Sequence, residues 1–251
     1  MTAAAVLPFR VTKPLLDIGL FSDNPDMLEF YENTVGTPFV ELLQHSPTYQ
    51  ERFYSVHGAS LKINYSQEAM GDGTSGYRGL LVARDGLDAP ETFVDPHGLT
   101  VTLVPTGASG VTPLGVRVVV ADAQRQRDFL VDALGAREDA HGIVLGDTRI
   151  VVDENAALPY PTPTWRRGFN YVLVPVDDVE IAHAHVLDHG ATHGLRPIRL
   201  ADRCVFSWVR DPHGNWVELV QYTDSGPLPD IERAESLWPV ITAWRDYGTS
   251  A

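Results

Sequence analysis

The chain has 251 residues, 44% of them hydrophobic, and a formal net charge of −14 from 19 basic and 33 acidic residues. This length favours about two domains, and the acidity argues against nucleic acid or an anionic membrane as a partner. The single cysteine, Cys204, excludes an internal disulfide, which fits a reducing compartment. No apolar run approaches the roughly 20 residues of a membrane span. The expected localisation is therefore cytoplasmic.

The first half of the chain reads as two units with a similar order of elements. For the first unit the pattern predicts a strand, an amphipathic helix and three further strands, at 15–21, 25–34, 39–43, 51–56 and 60–65. The second unit is shorter, with a strand at 77–83, a turn in place of the helix, and a hairpin at 93–104. A linker dense in small residues and proline follows.

The second half repeats this order. Its third unit is predicted to have strands at 116–120, 142–145 and 149–152 and a helix at 123–133, and the fourth a helix at 179–188 before a second hairpin. In the tail, Asp230 is expected to cap a helix that Pro239 kinks. One face of this predicted helix is an apolar stripe. It is formed by Ile231, Ala234, Leu237, Trp238, Ile241 and Trp244. We expect the stripe to pack on its own domain, with a homodimer contact or a lid as alternatives.

Two pairs of matching segments show that the chain is internally duplicated. The turn Asp95-Pro96-His97-Gly98 recurs as Asp211-Pro212-His213-Gly214, and an alternating strand follows each copy. The spacing from an N-capping aspartate to phenylalanine and then to a terminating glycine is the same at 23–36 and 122–135.

These four units resemble the vicinal oxygen chelate superfamily, which includes glyoxalase I, extradiol dioxygenases, fosfomycin resistance enzymes and bleomycin-binding proteins. The resemblance implies an α+β fold of four βαβββ-type modules that form two cup-shaped domains, plus a short C-terminal helical tail. The expected divisions are an N-terminal domain, a linker, a C-terminal domain and the tail, at 12–106, 107–113, 114–222 and 223–251. Modules of this superfamily can also be exchanged between halves or chains, so their pairing stays open.

The resemblance also implies a metal site, with a histidine early in the first strand of a module and a glutamate late in the last. Glu218 falls on the glutamate position. The remaining positions hold no histidine and fall on Gly115, Tyr171 or Asn170, Leu16 or Asp17, Lys62 with Asn64, Arg78 and Thr102. One glutamate cannot hold a catalytic metal alone, so we predict no metal ligand set, with a divalent iron, manganese, nickel or zinc ion as the alternative.

Strand alternation places Trp216 and Glu218 on one face, which lines the cup in this superfamily. An acid in an aromatic pocket has a raised pKa and can act as a general acid or base. We therefore predict Glu218 and Tyr171 as catalytic residues and Trp208 and Trp216 as substrate-binding walls. Tyr160 and Trp165 are further wall candidates, and the alternative for Glu218 is a solvent-exposed carboxylate.

The first half offers a different group of polar residues. Lys62 and Asn64 share one strand face and, with Arg78, are predicted to form a cationic floor for a carboxylate, phosphate or enolate. The alternative is a solvated edge strand with a protective lysine. The four histidines of the fourth unit are expected on the surface rather than in a metal site, at His183, His185, His189 and His193.

Three functions are compatible with these residues. The first is an enzyme that acts on a small oxygenated or aromatic metabolite by acid/base chemistry, such as isomerisation, elimination or rearrangement, without the usual metal. The second is a metal-dependent dioxygenase or glyoxalase-like lyase, with ligands from Asp17, His57 or His141. The third is a protein that sequesters an aromatic natural product.

Overall fold

The computed structural model describes residues 6–73, 75–157 and 165–245. Module one contains β1 (Asp17–Ser22), α1 (Asp26–Glu29), a π-helical continuation (Phe30–Val35), β2 (Phe39–Gln44), β3 (Tyr49–Val56) and β4 (Ala59–Ser66). Module two contains β5 (Tyr77–Arg84), β6 (Glu91–Val94) and β7 (Thr100–Pro105). Module two therefore has no α-helix of its own within the described residues, as its shortened sequence predicts.

Modules three and four are longer. Module three contains β8 (Leu114–Val120), α2 (Ala123–Asp132), β9 (Arg137–Asp139), β10 (Gly142–Leu145) and β11 (Thr148–Glu154). Module four contains β12 (Gly168–Pro175), α3 (Val179–Asp188), β13 (Thr192–Leu200), β14 (Cys204–Arg210) and β15 (Trp216–Tyr222). The tail adds β16 (Arg233–Ala234) and α4 (Leu237–Arg245). The expected fold class, with a short C-terminal helix, is confirmed.

The strands form two sheets, each built from both halves of the chain. A nine-stranded sheet has the order β16-β13-β14-β15-β12-β1-β4-β3-β2, and a seven-stranded sheet has the order β6-β7-β5-β8-β11-β10-β9. Antiparallel pairing of β1 with β12 joins modules one and four, and pairing of β5 with β8 joins modules two and three.

This architecture differs from the predicted division, in which 12–106 and 114–222 each form a cup. Each module alone leaves one edge of its first strand unpaired, and the strand that covers that edge comes from the opposite half of the chain. Which edges meet is decided by long-range contacts, and local alternation does not encode them.

The two repeated turns have the same hydrogen bonds. The Oδ1 atom of Asp95 accepts from the backbone N–H groups of His97 at 2.8 Å and Leu99 at 2.9 Å. Asp211 makes the equivalent bonds, to His213 at 2.8 Å and to the residue four positions after the aspartate at 2.9 Å. The glycine of each turn has a φ of 84° or 81°, in the left-handed region that favours glycine.

The helix caps follow the predicted pattern in the second half only. The side chain of Asp122 accepts a hydrogen bond from the backbone N–H of Arg125, as an N-cap should. Asp23 does not cap the first helix, which has Pro25 at its N-cap. Its carboxylate instead pairs with Arg167, 2.7 Å from Nε, because the pairing of modules one and four brings that arginine alongside.

The main core lies between the sheets and their helices. On β1, Ile18 and Leu20 belong to it, and Phe129 of α2 and Val186 of α3 join the same cluster. A second cluster covers the opposite face of the nine-stranded sheet and includes Phe21. That second face, here called the cup, carries the candidate site.

The tail differs from the predicted helix in its starting point. The helix α4 begins at Leu237 rather than after Asp230, and Ala234 lies in β16, which pairs with β13. Pro239 stands in the first turn, where a missing N–H group removes no helical hydrogen bond. Leu237 and Ile241 are buried in the cup cluster, and the side chain of Trp244 lies outside the described residues. The tail therefore covers the cup, while a homodimer contact stays a prediction.

None of the helices in the described ranges combines the length and the apolar character that a membrane span requires.

Candidate functional site

The cup encloses a cavity of about 540 Å3. Strand alternation decides which side chains face it. On β4, Leu61 and Ile63 pack in the main core whereas Lys62 and Asn64 line the cavity. On β15, Glu218 lines the cavity and its two chain neighbours pack in the main core.

The pairing of modules one and four brings together two residues that the sequence placed in separate cups. The Lys62 ammonium lies 3.5 Å from Oε2 of Glu218 and 3.2 Å from Oε1 of Glu51. All three side chains are buried, with residue exposures of 7%, 5% and 3% for Lys62, Glu218 and Glu51. The result is a carboxylate–ammonium–carboxylate row on the cavity floor.

Glu51 was not identified from the sequence. Its strand, β3, alternates so that Tyr49, Glu51 and Phe53 share one face, and the two outer residues are aromatic. A charged residue between two aromatics on one strand face was the available signal, because it indicates an acid that lies within an otherwise apolar wall.

Asn64 and Tyr171 form the second half of the floor. The hydroxyl of Tyr49 donates to Oδ1 of Asn64 at 2.6 Å. The amide of Asn64 in turn donates to the Tyr171 hydroxyl and to the Leu20 carbonyl, both at 3.0 Å. The Tyr171 ring lies beneath the Lys62 ammonium, 5.2 Å from nitrogen to ring centroid.

The close approach of the Tyr171 ring depends on a glycine. A Cβ atom added to Gly19 would lie 2.1 Å from the nearest ring carbon of Tyr171. Gly19 pairs with Lys62 on one side and with Tyr171 on the other. A side chain at this position would therefore displace the ring that supports Lys62.

Burial and the charged neighbours shift the pKa values of Glu218, Glu51 and Lys62 in different ways. Burial raises the pKa of Glu218 to about 7, with Lys62 opposing the shift and Glu51 adding to it. Burial alone would raise the pKa of Glu51, but Lys62 and a hydrogen bond with His45 lower it below its ordinary value. Burial alone would lower the pKa of Lys62, but the two carboxylates raise it well above its ordinary value. Glu218 is therefore the group of this row that exchanges a proton near neutral pH.

The cavity walls are mostly apolar. They include Leu200, Cys204, Phe206, Trp208, Val220, Leu237 and Ile241. Trp216 packs against Trp208, 6.1 Å between ring centroids, but does not line the cavity. Trp165 packs against Phe21, and Tyr160 lies outside the described residues.

Arg78 does not join the predicted cationic floor. It lies on β5 in the seven-stranded sheet, whereas Lys62 and Asn64 lie in the nine-stranded sheet. The difference follows from the pairing of module one with module four instead of module two. In place of a second cation, the floor contains Glu51 and Glu218, so it lacks the net positive charge expected from the sequence.

The residues of the cup do not fit the divalent metal that the resemblance implies. The Lys62 ammonium lies 3.5 Å from Glu218, the one retained metal position, and 3.2 Å from Glu51. A fixed cation at this distance repels a divalent ion. His45 is directed to Glu51, with 3.0 Å between Nε2 and Oε2. Across the described ranges, no group of three or more His, Cys, Asp or Glu side chains is arranged to hold a metal.

The alternative metal ligands from the sequence are also engaged elsewhere. Asp17 pairs with Lys13 and accepts a hydrogen bond from the Ser60 backbone N–H. The Nε2 atom of His57 lies 2.7 Å from the carbonyl oxygen of Ala83. His141 lies in the turn between β9 and β10 of the other sheet.

The histidines of module four are not all on the surface. His183 is buried, and its Nε2 lies 3.2 Å from Nδ1 of His193. Burial lowers the pKa of His183 to about 4. His189 is exposed, as expected. The difference arises because His183 lies on the inner side of α3, which packs against β13 and β14.

Comparisons with known proteins agree with the resemblance found in the sequence. Residues 112–219 match the model of the Glyoxalase/Bleomycin resistance protein/Dioxygenase superfamily. A search among curated proteins found no match to the sequence.

Solved structures share the fold over most of the chain. Glyoxalase I from Zea mays superposes with a TM-score of 0.63 at 18% identity, over 84% of this chain and 94% of that one. A variant of the same maize enzyme gives 0.66 at 17% identity, over 83% and 95%. A putative dioxygenase from Bacillus subtilis gives 0.58 at 15% identity, over 92% and 94%. At these identities the similarity establishes the fold.

Proposed function

We propose that this protein is an enzyme that moves a proton on a small oxygenated or aromatic metabolite, with Glu218 as the general acid or base. The observation that carries the proposal is the position of Glu218, a buried carboxyl group with a pKa raised to about 7 that lines a cavity and lies 3.5 Å from Lys62. A group with a pKa near the working pH is the most effective proton carrier.

The proposed reaction begins when ionised Glu218 removes a proton from a carbon next to a substrate carbonyl. The electron pair of the broken C–H bond moves to the carbonyl oxygen and forms an enolate. The Lys62 ammonium and the Tyr171 hydroxyl, which stays protonated because burial raises the pKa of that phenol, face this part of the cavity. Because a buried cation is weakly screened, Lys62 stabilises the enolate oxygen more than water would.

The outcome of the reaction depends on where the proton of Glu218 goes. Return of that proton to the opposite face of the same carbon gives an epimer, and its transfer to the γ-carbon of a conjugated enolate gives a double-bond isomer. In an elimination the enolate electron pair forms a C=C bond, the bond from the β-carbon to its oxygen breaks, and the departing oxygen takes the proton. Each route returns Glu218 to its ionised form, so none requires an oxidant or a further reactant.

The charges of the cavity favour a neutral or cationic substrate over an anionic one. Among the described lining residues, four are acidic and two are basic: Glu41, Glu51, Asp202 and Glu218 against Lys62 and Arg203. A cavity of about 540 Å3 suits a molecule of small-metabolite size. A small apolar molecule that carries a neutral ketone or phenol group fits both the charge and the volume of the cavity.

Hydrogen exchange provides a test that does not require the natural substrate. A panel of neutral cyclic and aromatic ketones is incubated with the protein in D2O, and deuterium incorporation next to the carbonyl is followed by NMR. The wild-type protein should accelerate exchange for at least one ketone, and Glu218→Gln should reduce this acceleration by about 100-fold or more. Glu41→Gln, which removes a carboxylate from the cavity rim, is the matched control and should retain it. If Glu218→Gln exchanges the ketone as fast as wild type, the catalytic role of Glu218 is wrong.

The apolar walls favour a second candidate function, the sequestration of an aromatic ligand. Trp208 and Phe206 line one wall, and Leu237 and Ile241 of the tail close over them. A binding protein needs this shaped surface and no proton transfer. Tight binding of an aromatic ligand without any exchange, and with unchanged affinity in Glu218→Gln, would favour this candidate over the enzyme.

A further inference from the structure

Lys62 contacts both buried carboxylates of the cup. Its ammonium lies 3.2 Å from Oε1 of Glu51 and donates a hydrogen bond to Oε2 of Glu218 at 3.5 Å. Glu51 is also held on its other oxygen, where Oε2 lies 3.0 Å from Nε2 of His45. The lysine, Glu51 and His45 thus form a connected group on one side of the cup.

The sheet topology explains why the lysine has a carboxylate on each side. Glu51 and Lys62 belong to adjacent antiparallel strands, β3 and β4, and lie diagonally across from one another in the register. Glu218 lies on β15, with β12 and β1 between it and β4. The contact between Lys62 and Glu51 therefore belongs to one hairpin, whereas Glu218 reaches the lysine across the sheet.

We propose that Glu51 is a positioning residue that competes with Glu218 for the Lys62 ammonium and so leaves Glu218 as the carboxyl group that gains and loses a proton. This inference rests on the proposed role of Glu218 in proton transfer. A carboxylate that had Lys62 to itself would stay ionised and would be a poor proton carrier. Glu51 prevents this by competing for the cation.

The remaining titratable groups around Glu218 do not replace Glu51 in this role. They are Asp17 on β1, Tyr49 on β3, Tyr171 on β12, Cys204 on β14 and Tyr222 on β15. Burial raises the pKa of each tyrosine and of the cysteine, so these four are neutral near pH 7. Asp17 has its own cation in Lys13. At the rim, Glu41 pairs with Arg203.

The test is a direct titration of the Glu218 carboxyl group without substrate. Protein with 13C-labelled glutamate side chains is titrated by NMR, and the Glu218 signal is assigned by its absence in Glu218→Gln. The expected midpoint in wild type is about 7. In Glu51→Gln the midpoint should fall by roughly one pH unit, because Lys62 is then free to pair with Glu218.

Two further variants make the result specific. Glu41→Gln removes an equal charge from the cavity rim and should leave the midpoint where it is. His45→Phe removes the second contact of Glu51 and should move the midpoint downward by a smaller amount than Glu51→Gln. If Glu51→Gln does not fold, the His45→Phe titration decides the question. An unchanged or raised midpoint in the folded variants would overturn the proposal.

The titration also separates this inference from the proposed function. If the midpoint depends on Glu51 but ketone exchange persists in Glu218→Gln, the positioning role stands and the proposed reaction fails. If exchange requires Glu218 but the titration midpoint of Glu218 is the same in Glu51→Gln as in wild type, the proposed reaction stands and the positioning role fails.

Discussion

Lys62 and Glu218 lie 156 residues apart in the chain, and 3.5 Å separates the ammonium of the first from the carboxylate of the second. The contact crosses three strand pairings of the nine-stranded sheet, from β4 through β1 and β12 to β15. It joins the polar residues of module one to the acid of module four. The candidate site therefore belongs to neither half of the chain alone.

The raised pKa of Glu218 predicts a pH-dependent difference in stability between wild type and Glu218→Gln. Between the ordinary pKa of 4.5 and the folded value of about 7, the folded protein keeps a proton that the unfolded chain has lost. The contribution of Glu218 to the free energy of unfolding therefore decreases as pH rises through this range, by up to about 3 kcal/mol. Urea unfolding of both proteins at pH 5 and pH 7.5 measures it. A difference that does not change with pH would contradict the prediction.

Replacement of Lys62 by methionine should destabilise the protein more at pH 8 than at pH 6. The variant leaves Glu51 and Glu218 buried without their shared cation, which costs about 3–5 kcal/mol when both are ionised. At pH 6 Glu218 takes up a proton, so the loss is smaller. Arg203→Met, which breaks a half-exposed ion pair with Glu41, is the control and should cost under about 1 kcal/mol. Equal losses at both pH values for Lys62→Met would disagree with a shared cation.

Alanine at position 19 should disturb Tyr171. The added methyl group would overlap the Tyr171 ring, and the strain should lower the free energy of unfolding by about 1–3 kcal/mol. Gly71→Ala is the matched control, because its nearest contact is an ordinary 3.5 Å to the Trp165 carbonyl oxygen. Chemical denaturation gives the stability difference. If both variants are as stable as wild type, the close packing of Gly19 on Tyr171 is not rigid.

Cys204 should report on the covering of the cup by α4. It is the one cysteine of the chain, it lines the cavity, and burial raises the pKa of its thiol to about 12. Labelling by a thiol reagent should therefore be slow in wild type and several-fold faster in Leu237→Ala/Ile241→Ala, which thins the wall that α4 provides. Thr242→Ala is the control, since Thr242 does not line the cavity. An unchanged rate in the double variant would show that α4 does not limit access.

Much of the local structure was predictable from the sequence. The period-two pattern of residues 60–65 placed Lys62 and Asn64 on one face, and the same pattern placed Glu218 opposite Val217 and Leu219. The repeated Asp-Pro-His-Gly turns followed from side-chain chemistry that acts within four residues. Such features depend on neighbours along the chain, which the sequence shows directly.

The composition of the site depended on the tertiary structure. The sequence grouped Lys62 and Asn64 with Arg78, but the pairing of β1 with β12 placed them with Glu218 and Tyr171 and left Arg78 in the other sheet. Glu51 joined them because β3 lies beside β4. The sequence by itself determined which face each side chain points to, because that depends on local alternation. Only the tertiary structure decided which faces meet, because strand order is set by long-range packing that no short pattern records.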